Sequence, residues 1–206
     1  MSTPETERVR KLWQKNASKY DRQISLCERL LFEGGREWAC SRARGEVLEI
    51  AVGTGRNLEF YPAEVTLTAI DFSSAMLEVA RERAASLGRE VDLREADAQN
   101  LPFDDGSFDT VVSTLTMCNI PDYGRAIAEV HRVLRPGGRF VLMEHVRSDR
   151  GWVRAGQRAL EPLTVRFEGD HLLRTPLEKV RAASFEVQET EQLKRGIVQR
   201  IVAVRN

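Results

Sequence analysis

Two groups of residues in this chain are candidates for binding and catalysis. The first is a turn, Gly53-Thr54-Gly55, set directly behind the apolar run Val47-Leu48-Glu49-Ile50-Ala51-Val52. Asp71 follows 22 residues after Glu49, at the end of a second apolar run. Glycines at such a point let the backbone turn sharply and approach a ligand at the start of the next helix. A carboxylate at the end of the following strand can accept hydrogen bonds from both hydroxyls of a ribose, so the two features together describe a nucleoside site. The second group is His145, His171 beside Asp170, and Cys118. An imidazole titrates near neutral pH and can take a proton from an acceptor. His145 closes an apolar run, whereas Asp170-His171 could form a carboxylate-oriented imidazole. His131, between Val130 and Arg132, and the Cys118 thiol read as packing groups.

The kind of nucleoside follows from what the turn lacks. A dinucleotide fingerprint needs a third glycine where Leu58 stands, and no phosphate-cradling G-x-x-x-x-G-K-[ST] occurs. The adenosine cofactor that remains is S-adenosylmethionine, whose amino-acid part needs a close backbone turn but no pyrophosphate cradle.

Positioning these groups requires strands that end beside one another. Apolar runs at 46–51, 65–71, 91–95, 108–115 and 139–146 predict five strands, and 185–193 and 197–204 a terminal pair joined by Lys194-Arg195-Gly196. Between the second and third, Ser73 or Ser74 can cap a helix with Met76, Leu77, Ala80, Ala84 and Leu87 at helical spacing, stopped by Gly88. Asp122 can cap another that carries Ala126, Ile127, Val130, Val133 and Leu134, ended by Pro136-Gly137-Gly138. This alternation predicts an α/β fold with a doubly wound, mostly parallel sheet of seven strands and an antiparallel last strand. The expected organisation is one domain over 1–206: a helical lid at 1–45, a cofactor-binding core at 46–146, a cap at 147–183 and a hairpin at 184–206. The lid shows Leu12, Ala17 and Tyr20 at rough helical spacing, with Trp13 alongside. In the cap, Thr175-Pro176-Leu177-Glu178 has the form of a capping box. Trp152, Leu160, Leu163, Phe167, Leu172 and Leu173 could line an acceptor pocket or form the cap's own small core.

Composition sets the outer bounds. Of 206 residues, 42% are hydrophobic and 30% charged, which excludes a mainly disordered or fibrous chain. Basic and acidic residues balance at 31 each, but unevenly: the stretches 1–46, 47–146 and 147–206 carry +3, −7 and +4. No dense basic stripe of the kind that grips nucleic acid is present, while weak attraction of the flanks to anionic surfaces stays open, and with it peripheral membrane contact. Apolar runs are too short to cross a bilayer, and the first residues lack a signal-like apolar core, so a cytoplasmic protein is expected. Cysteines at 27, 40 and 118 are odd in number and unclustered, giving no disulfide framework and no expected metal site.

Four blocks, VLEIAVGTGRN, AIDFSSAMLEVA, EADAQNLPFDDGSFDTVVSTL and VLRPGGRFVLMEH, run in order over about residues 46–146. Together they resemble a class I S-adenosylmethionine-dependent methyltransferase of the type 11 group. The resemblance implies that Gly53 and Gly55 lie against the methionine part of the cofactor, that Glu49 anchors the loop and that Asp71 holds the ribose. It places Phe72 and Met76 against the adenine and Asp97 and Ala98 at its amine and ring edge. Tyr20, Ala51, Asn57, Ser73, Gln99, Leu115 and Cys118 complete the implied cofactor set, with Ala51 standing where the family usually has a glycine. Cys118-Asn119-Ile120-Pro121 replaces the Asn-Pro-Pro-aromatic block of DNA amino-methyltransferases. The stretches around Thr114–Cys118, 143–146, 167–170 and 172–174 are similar to thiol S-methyltransferases and, in part, to bacterial phosphatidylethanolamine N-methyltransferases. The expected reaction is methyl transfer to a small, lipophilic acceptor, thiol sulfur favoured, with S-adenosylhomocysteine as product and His145 or His171 as base. An amine, phospholipid head group or hydroxyl acceptor is the alternative, as are a cofactor-binding protein without catalysis and a nucleotide-binding oxidoreductase.

Overall fold

A computed structural model describes residues 3–32 and 34–206, without the side chains of Leu26 and Cys27; the expectation for the Cys27 thiol therefore lies outside the described residues. Seven strands form one sheet: β1 (Glu46–Ile50), β2 (Thr66–Asp71), β3 (Asp92–Glu95), β4 (Phe108–Thr114), β5 (Leu134–His145), β6 (Phe185–Leu193) and β7 (Val198–Arg205). Their order is β3-β2-β1-β4-β5-β7-β6. The pairs β1–β2, β1–β4, β2–β3 and β4–β5 are parallel, and β7 runs antiparallel to both β5 and β6. This is the doubly wound sheet that the strand–helix alternation predicts.

The central strands are apolar on both faces because helices cover both sides, as parallel sheets require. One face sends Leu48, Ile50, Ile70, Val111, Phe140 and Leu142 into a core with Ala126, Ile127, Val130 and Val133 of α4 (Tyr123–Val133). The other sends Val47, Leu67, Ala69, Val112, Val141 and Met143 against Ala39 and Cys40 of α2 (Gly35–Cys40) and Leu77 and Ala84 of α3 (Ser74–Ser86). Adjacent residues such as Val47 and Leu48 take opposite faces, as strand periodicity dictates. At the sheet edges, β3 and most of β6 are exposed and rich in charge, which blunts edge pairing.

Caps fix the helix starts. Thr3 accepts the Thr6 N–H at 3.2 Å and Pro4 opens α1 (Pro4–Leu31). Ser73 accepts the Met76 N–H at 3.3 Å and Asp122 the Arg125 N–H at 3.0 Å. The cap contains α5 (Gly151–Glu168), ended by Gly169 at φ +71°, and α6 (Pro176–Ala182).

Two local expectations need correction. Helix α4 stops at Val133, before Pro136-Gly137-Gly138, because Leu134 is already extended and pairs with Phe108; the register resumes at Thr110 and Arg139, so 135–138 bulge out of the ladder. At Thr175 the hydroxyl bonds the Glu178 carboxylate at 2.9 Å and makes no bond to a backbone N–H, so this is a side-chain pair in place of a reciprocal capping box.

Candidate functional site

The chain runs from β1 outward to β2 and β3, then returns to the other side of β1 as β4. A crevice therefore opens where β1 and β4 diverge at their carboxyl ends, the point at which open α/β sheets bind ligands. Ala51 (φ +52°) and Leu115 (φ +55°) leave these two strands in the left-handed conformation, although neither is glycine. Such residues cost about 1–3 kcal/mol each and are held only where the surroundings over-determine them. A cavity of about 1020 Å³ lies above them, lined by α1, both strand ends and the cap.

One end of the cavity is built on backbone. The Asp71 carboxylate, 4% exposed, accepts the Gly53 N–H at 2.9 Å and the Ser73 N–H at 2.9 Å. Burial nevertheless pushes its pKa up to about 6, against the lowering effect of those N–H donors. Gly53, at φ +57°, has nothing within 4 Å of where a Cβ would stand, so its turn leaves open space for a ligand. Phe72, Met76, Ala96, Asp97, Ala98 and Gln99 continue the lining. Asp97 Oδ1 accepts the Gln99 N–H at 2.9 Å, and the Gln99 amide returns to the same carboxylate at 3.0 and 3.1 Å.

Beneath the turn lies a buried polar network. Asn57 donates to Glu49 Oε1 at 2.8 Å and to Thr114 Oγ1 at 2.9 Å, and accepts from Arg36 at 2.8 Å. Arg36 reaches Thr114 Oγ1 at 3.0 Å and Glu28 Oε1 at 2.6 Å while lining the cavity. Burial pushes Glu49 up to about 7. Helix α1 is strapped down by acidic residues: Glu28 takes Arg36 and Arg56, and Asp21 takes Thr54 Oγ1 at 2.6 Å and pairs with Arg83. Trp13 and Tyr20, edge to face with ring centres 5.5 Å apart, close the roof.

The other end carries titratable side chains. His145 Nε2 lies 2.8 Å from Asp170 Oδ1, and Nδ1 is buried with no partner. Burial alone would lower the His145 pKa, but the Asp170 hydrogen bond and the charges of Asp170 and Glu144 outweigh it and raise the pKa. Asp170 is lowered in turn, its burial outweighed chiefly by His145. Cys118 sits beside them; burial pushes its thiol well up, so it stays protonated near neutrality. The ligand-type atoms of Cys118, His145 and Asp170 lie within 4.8 Å of one another, close enough to reach one metal ion. His145 Nε2 is committed to Asp170, however, and the field of the Arg174 guanidinium already acts on all three groups. Arg174 itself donates to the carbonyls of Met117 and Ile120, and the His171 N–H donates to the Cys118 carbonyl at 3.1 Å, so the cap is bolted to the exit of β4.

With this geometry in view, the profile of a family described as a methyltransferase domain matches residues 48–142. The chain is 35% identical over 174 residues to the thiol S-methyltransferase TMT1A of Homo sapiens, a match covering 81% of this chain and 70% of that one. The chain belongs to the S-adenosylmethionine-dependent methyltransferases. It is also 42% identical over 126 residues to a phosphatidylethanolamine N-methyltransferase of Cereibacter sphaeroides, covering 60% of each. The matched stretches thus span between 60% and 70% of the lengths of these two relatives. The solved structure of an S-adenosylmethionine-dependent methyltransferase from Thermotoga maritima superposes with a TM-score of 0.74 at 24% identity, over 96% of this chain and all of that one, which shows the fold.

Within this methyltransferase, Tyr20, Ala51, Gly53, Asp71, Phe72, Met76, Asp97, Ala98, Gln99, Leu115, Cys118 and His145 all line one cavity. Glu49, Gly55, Asn57 and Ser73 do not; they stand beneath or behind it. A Cβ on Gly55 would come 2.9 Å from the Leu58 side chain and 3.3 Å from the Ala80 backbone, so that glycine permits α3 to approach. His171 also lies off the cavity, its Nδ1 4.0 Å from Glu161, and the carboxylate expected to orient it turns to His145 instead. Arg36 has no place in the sequence reading, and Thr114 enters it only within a stretch of resemblance, without a role. Arg36 sits on a helix of only 6 residues, too short to show periodicity, and its sole signal is a basic residue two positions before Trp38.

Proposed function

We propose that this methyltransferase moves a methyl group from S-adenosylmethionine to a small lipophilic acceptor, with a thiol sulfur favoured. The observation that carries the reading is the His145–Asp170 pair facing the same cavity as the Asp71 carboxylate and the open Gly53 turn. The cofactor fits the residues present. A desolvated carboxylate held by backbone N–H groups alone suits two ribose hydroxyls, and a cavity of about 1020 Å³ has room for nucleoside and acceptor together. Asp71 would hold the ribose, Phe72 and Met76 the adenine face, and Asp97 and Ala98 its edge. The Gly53 backbone and the Arg36 guanidinium would take the amino-acid part. When bound, S-adenosylmethionine supplies an electrophilic methyl group on a sulfonium, and S-adenosylhomocysteine is left.

The chain's own work is positioning and proton removal. With Nε2–H donated to Asp170, neutral His145 keeps its lone pair on Nδ1, and that atom takes the acceptor's proton while Asp170 stabilises the imidazolium. Nδ1 is closed to solvent, so the acceptor reaches it only when the groups packed over it yield. A thiol, with a pKa near 8.5, is the acceptor most closely matched to an imidazole. Trp152, Leu160, Phe167, Leu172 and Ile197 line this end of the cavity, which suits an apolar acceptor body. A second reading, transfer to the amine of a phospholipid head group, is supported by the match to the phosphatidylethanolamine enzyme. Incubation with S-adenosylmethionine and a mixed panel of lipophilic thiols, amines and phenols, followed by mass spectrometry, decides between them. A methylated thiol upholds the first reading, methylated amines alone replace it with the second, and an absence of any methylated product removes both.

A further inference from the structure

Helix α5 is built inside out. Its inner face is polar: Gln157 donates to the carbonyls of Val146 and Leu172 at 2.8 and 3.2 Å and accepts the Ser148 N–H at 2.9 Å. Thr164 Oγ1 donates to the Asp170 carbonyl at 2.7 Å, and Glu161 accepts the Leu173 N–H at 3.3 Å. Its outer face is apolar: Trp152, Leu160, Leu163 and Phe167 are 65%, 55%, 56% and 62% exposed, and none of the helix's residues is buried. A helix packed on a globular body normally turns its apolar stripe inward. The spacing of these four residues, 8, 3 and 4, puts them on one stripe, and four of the six large exposed hydrophobic residues described are collected there.

We infer that the outer face of α5 seats on a lipid bilayer carrying anionic head groups, so that the cavity mouth opens toward the membrane. The inference rests on the lipophilic-acceptor reading for its purpose, though not for its geometry. Charge favours a bilayer as the occupant. The stretch 147–183 carries eight basic and five acidic side chains. Among the described residues, Arg150, Arg154, Arg158, Arg166 and Arg195 enter no ion pair. Arg166 and Arg195 lie over the Phe167 and Trp152 rings at 5.9 and 5.4 Å, placing cations beside the apolar stripe as in interfacial helices. A second copy of this chain is disfavoured, because a two-fold contact on this face would bring the same arginines together. Trp152, Leu160 and Phe167 also line the cavity, so an acceptor dissolved among acyl chains would enter, across apolar side chains, the cavity that His145 lines.

Sedimentation with vesicles tests this without any turnover. The whole protein is expected to sediment with vesicles of phosphatidylcholine mixed with phosphatidylglycerol, and several-fold less with phosphatidylcholine alone or at high salt. Leu163→Glu, at a position that does not line the cavity, should lower partitioning by about tenfold or more. Arg166→Glu, which reverses the charge beside the Phe167 ring at the edge of the stripe, should lower it by about fivefold or more. Both variants should keep wild-type melting temperature and cofactor affinity. Absence of sedimentation with either vesicle, sedimentation unaffected by Leu163→Glu, or a dimer in ultracentrifugation that Leu163→Glu dissolves while vesicle binding stays nil would each overturn the inference. Vesicle binding by a protein that methylates only water-soluble acceptors would leave the docking face standing and retire the lipophilic acceptor instead.

Discussion

The two ends of the cavity are held by different means. Around Asp71 the contacts come from backbone N–H groups and strand ends, so the geometry is set by the sheet itself. Around His145 they come from side chains of a cap that binds to the body through polar groups and keeps its apolar stripe outside. On the proposed reading, a fixed donor end beside an adjustable acceptor end lets one scaffold keep its cofactor while its substrate changes, and the difference between the two relatives' acceptors fits that division.

Removing His145 should divide the two ends most sharply. His145→Ala is expected to cut kcat on a thiol by about 100-fold or more while cofactor affinity stays at the wild-type value; steady-state rates and calorimetry on the same preparation check both halves. Asp71→Ala should do the reverse, losing charge-assisted hydrogen bonds worth roughly 1.5–3 kcal/mol, or about 10- to 150-fold in affinity for S-adenosylhomocysteine. The same carboxylate gives a pH test. Because burial raises its pKa to about 6, affinity should hold above that pH and fall by up to about tenfold per unit below it.

Asp170→Asn addresses how the acceptor end is tuned. Asp170 is a main cause of the raised His145 pKa, so its loss should move the acid limb of the rate–pH profile to lower pH, with a lower plateau. Stability should respond with a definite sign. The raised imidazole contributes fully below its unfolded value of about 6.5 and loses that contribution as pH rises through the folded value. The lowered carboxylate contributes above about 3.9 and loses it as pH falls through its folded value. The gap in melting temperature between wild type and variant should therefore be widest at pH 4–6.5, roughly, and narrow above it. A gap that widened with rising pH would contradict the pairing. The smallest effect is expected at Ala51, where glycine relieves left-handed strain of roughly 1–2 kcal/mol but adds unfolded-chain entropy of about half that. Ala51→Gly should raise stability by about 0.5 kcal/mol in denaturant titration, without changing acceptor preference.

The same division explains what the sequence could reveal. The donor end is legible because it is local: apolar runs ending in Gly53 and Asp71, and caps at Ser73 and Asp122, announce strands, turns and helix starts within a few residues. The acceptor end depends on contacts across long separations. Asp170 stands next to His171 in the chain but bonds His145, 25 residues away, because the αL turn at Gly169 and the His171 N–H bond to the Cys118 carbonyl set the loop over β5. Nor could spacing alone show that Gly55 serves the approach of α3 while Gly53 faces the cavity. The large apolar residues of the cap suggest pocket lining or a small core of their own; that Trp152, Leu160, Leu163 and Phe167 instead face outward is not in the spacing, since periodicity gives a face but not which side of the helix the body occupies.

Whether a base beside the cap serves a methyl donor held at the sheet end is decided by one comparison. Wild type and His145→Ala are each incubated with S-adenosylmethionine carrying a deuterated methyl group and a lipophilic thiol, and the rate of labelled thioether formation is followed by mass spectrometry. Labelled product is expected from the wild type, and from the variant a rate lower by about 100-fold or more at unchanged cofactor affinity. Equal rates from the two proteins, or no labelled thioether from the wild type, would contradict that arrangement.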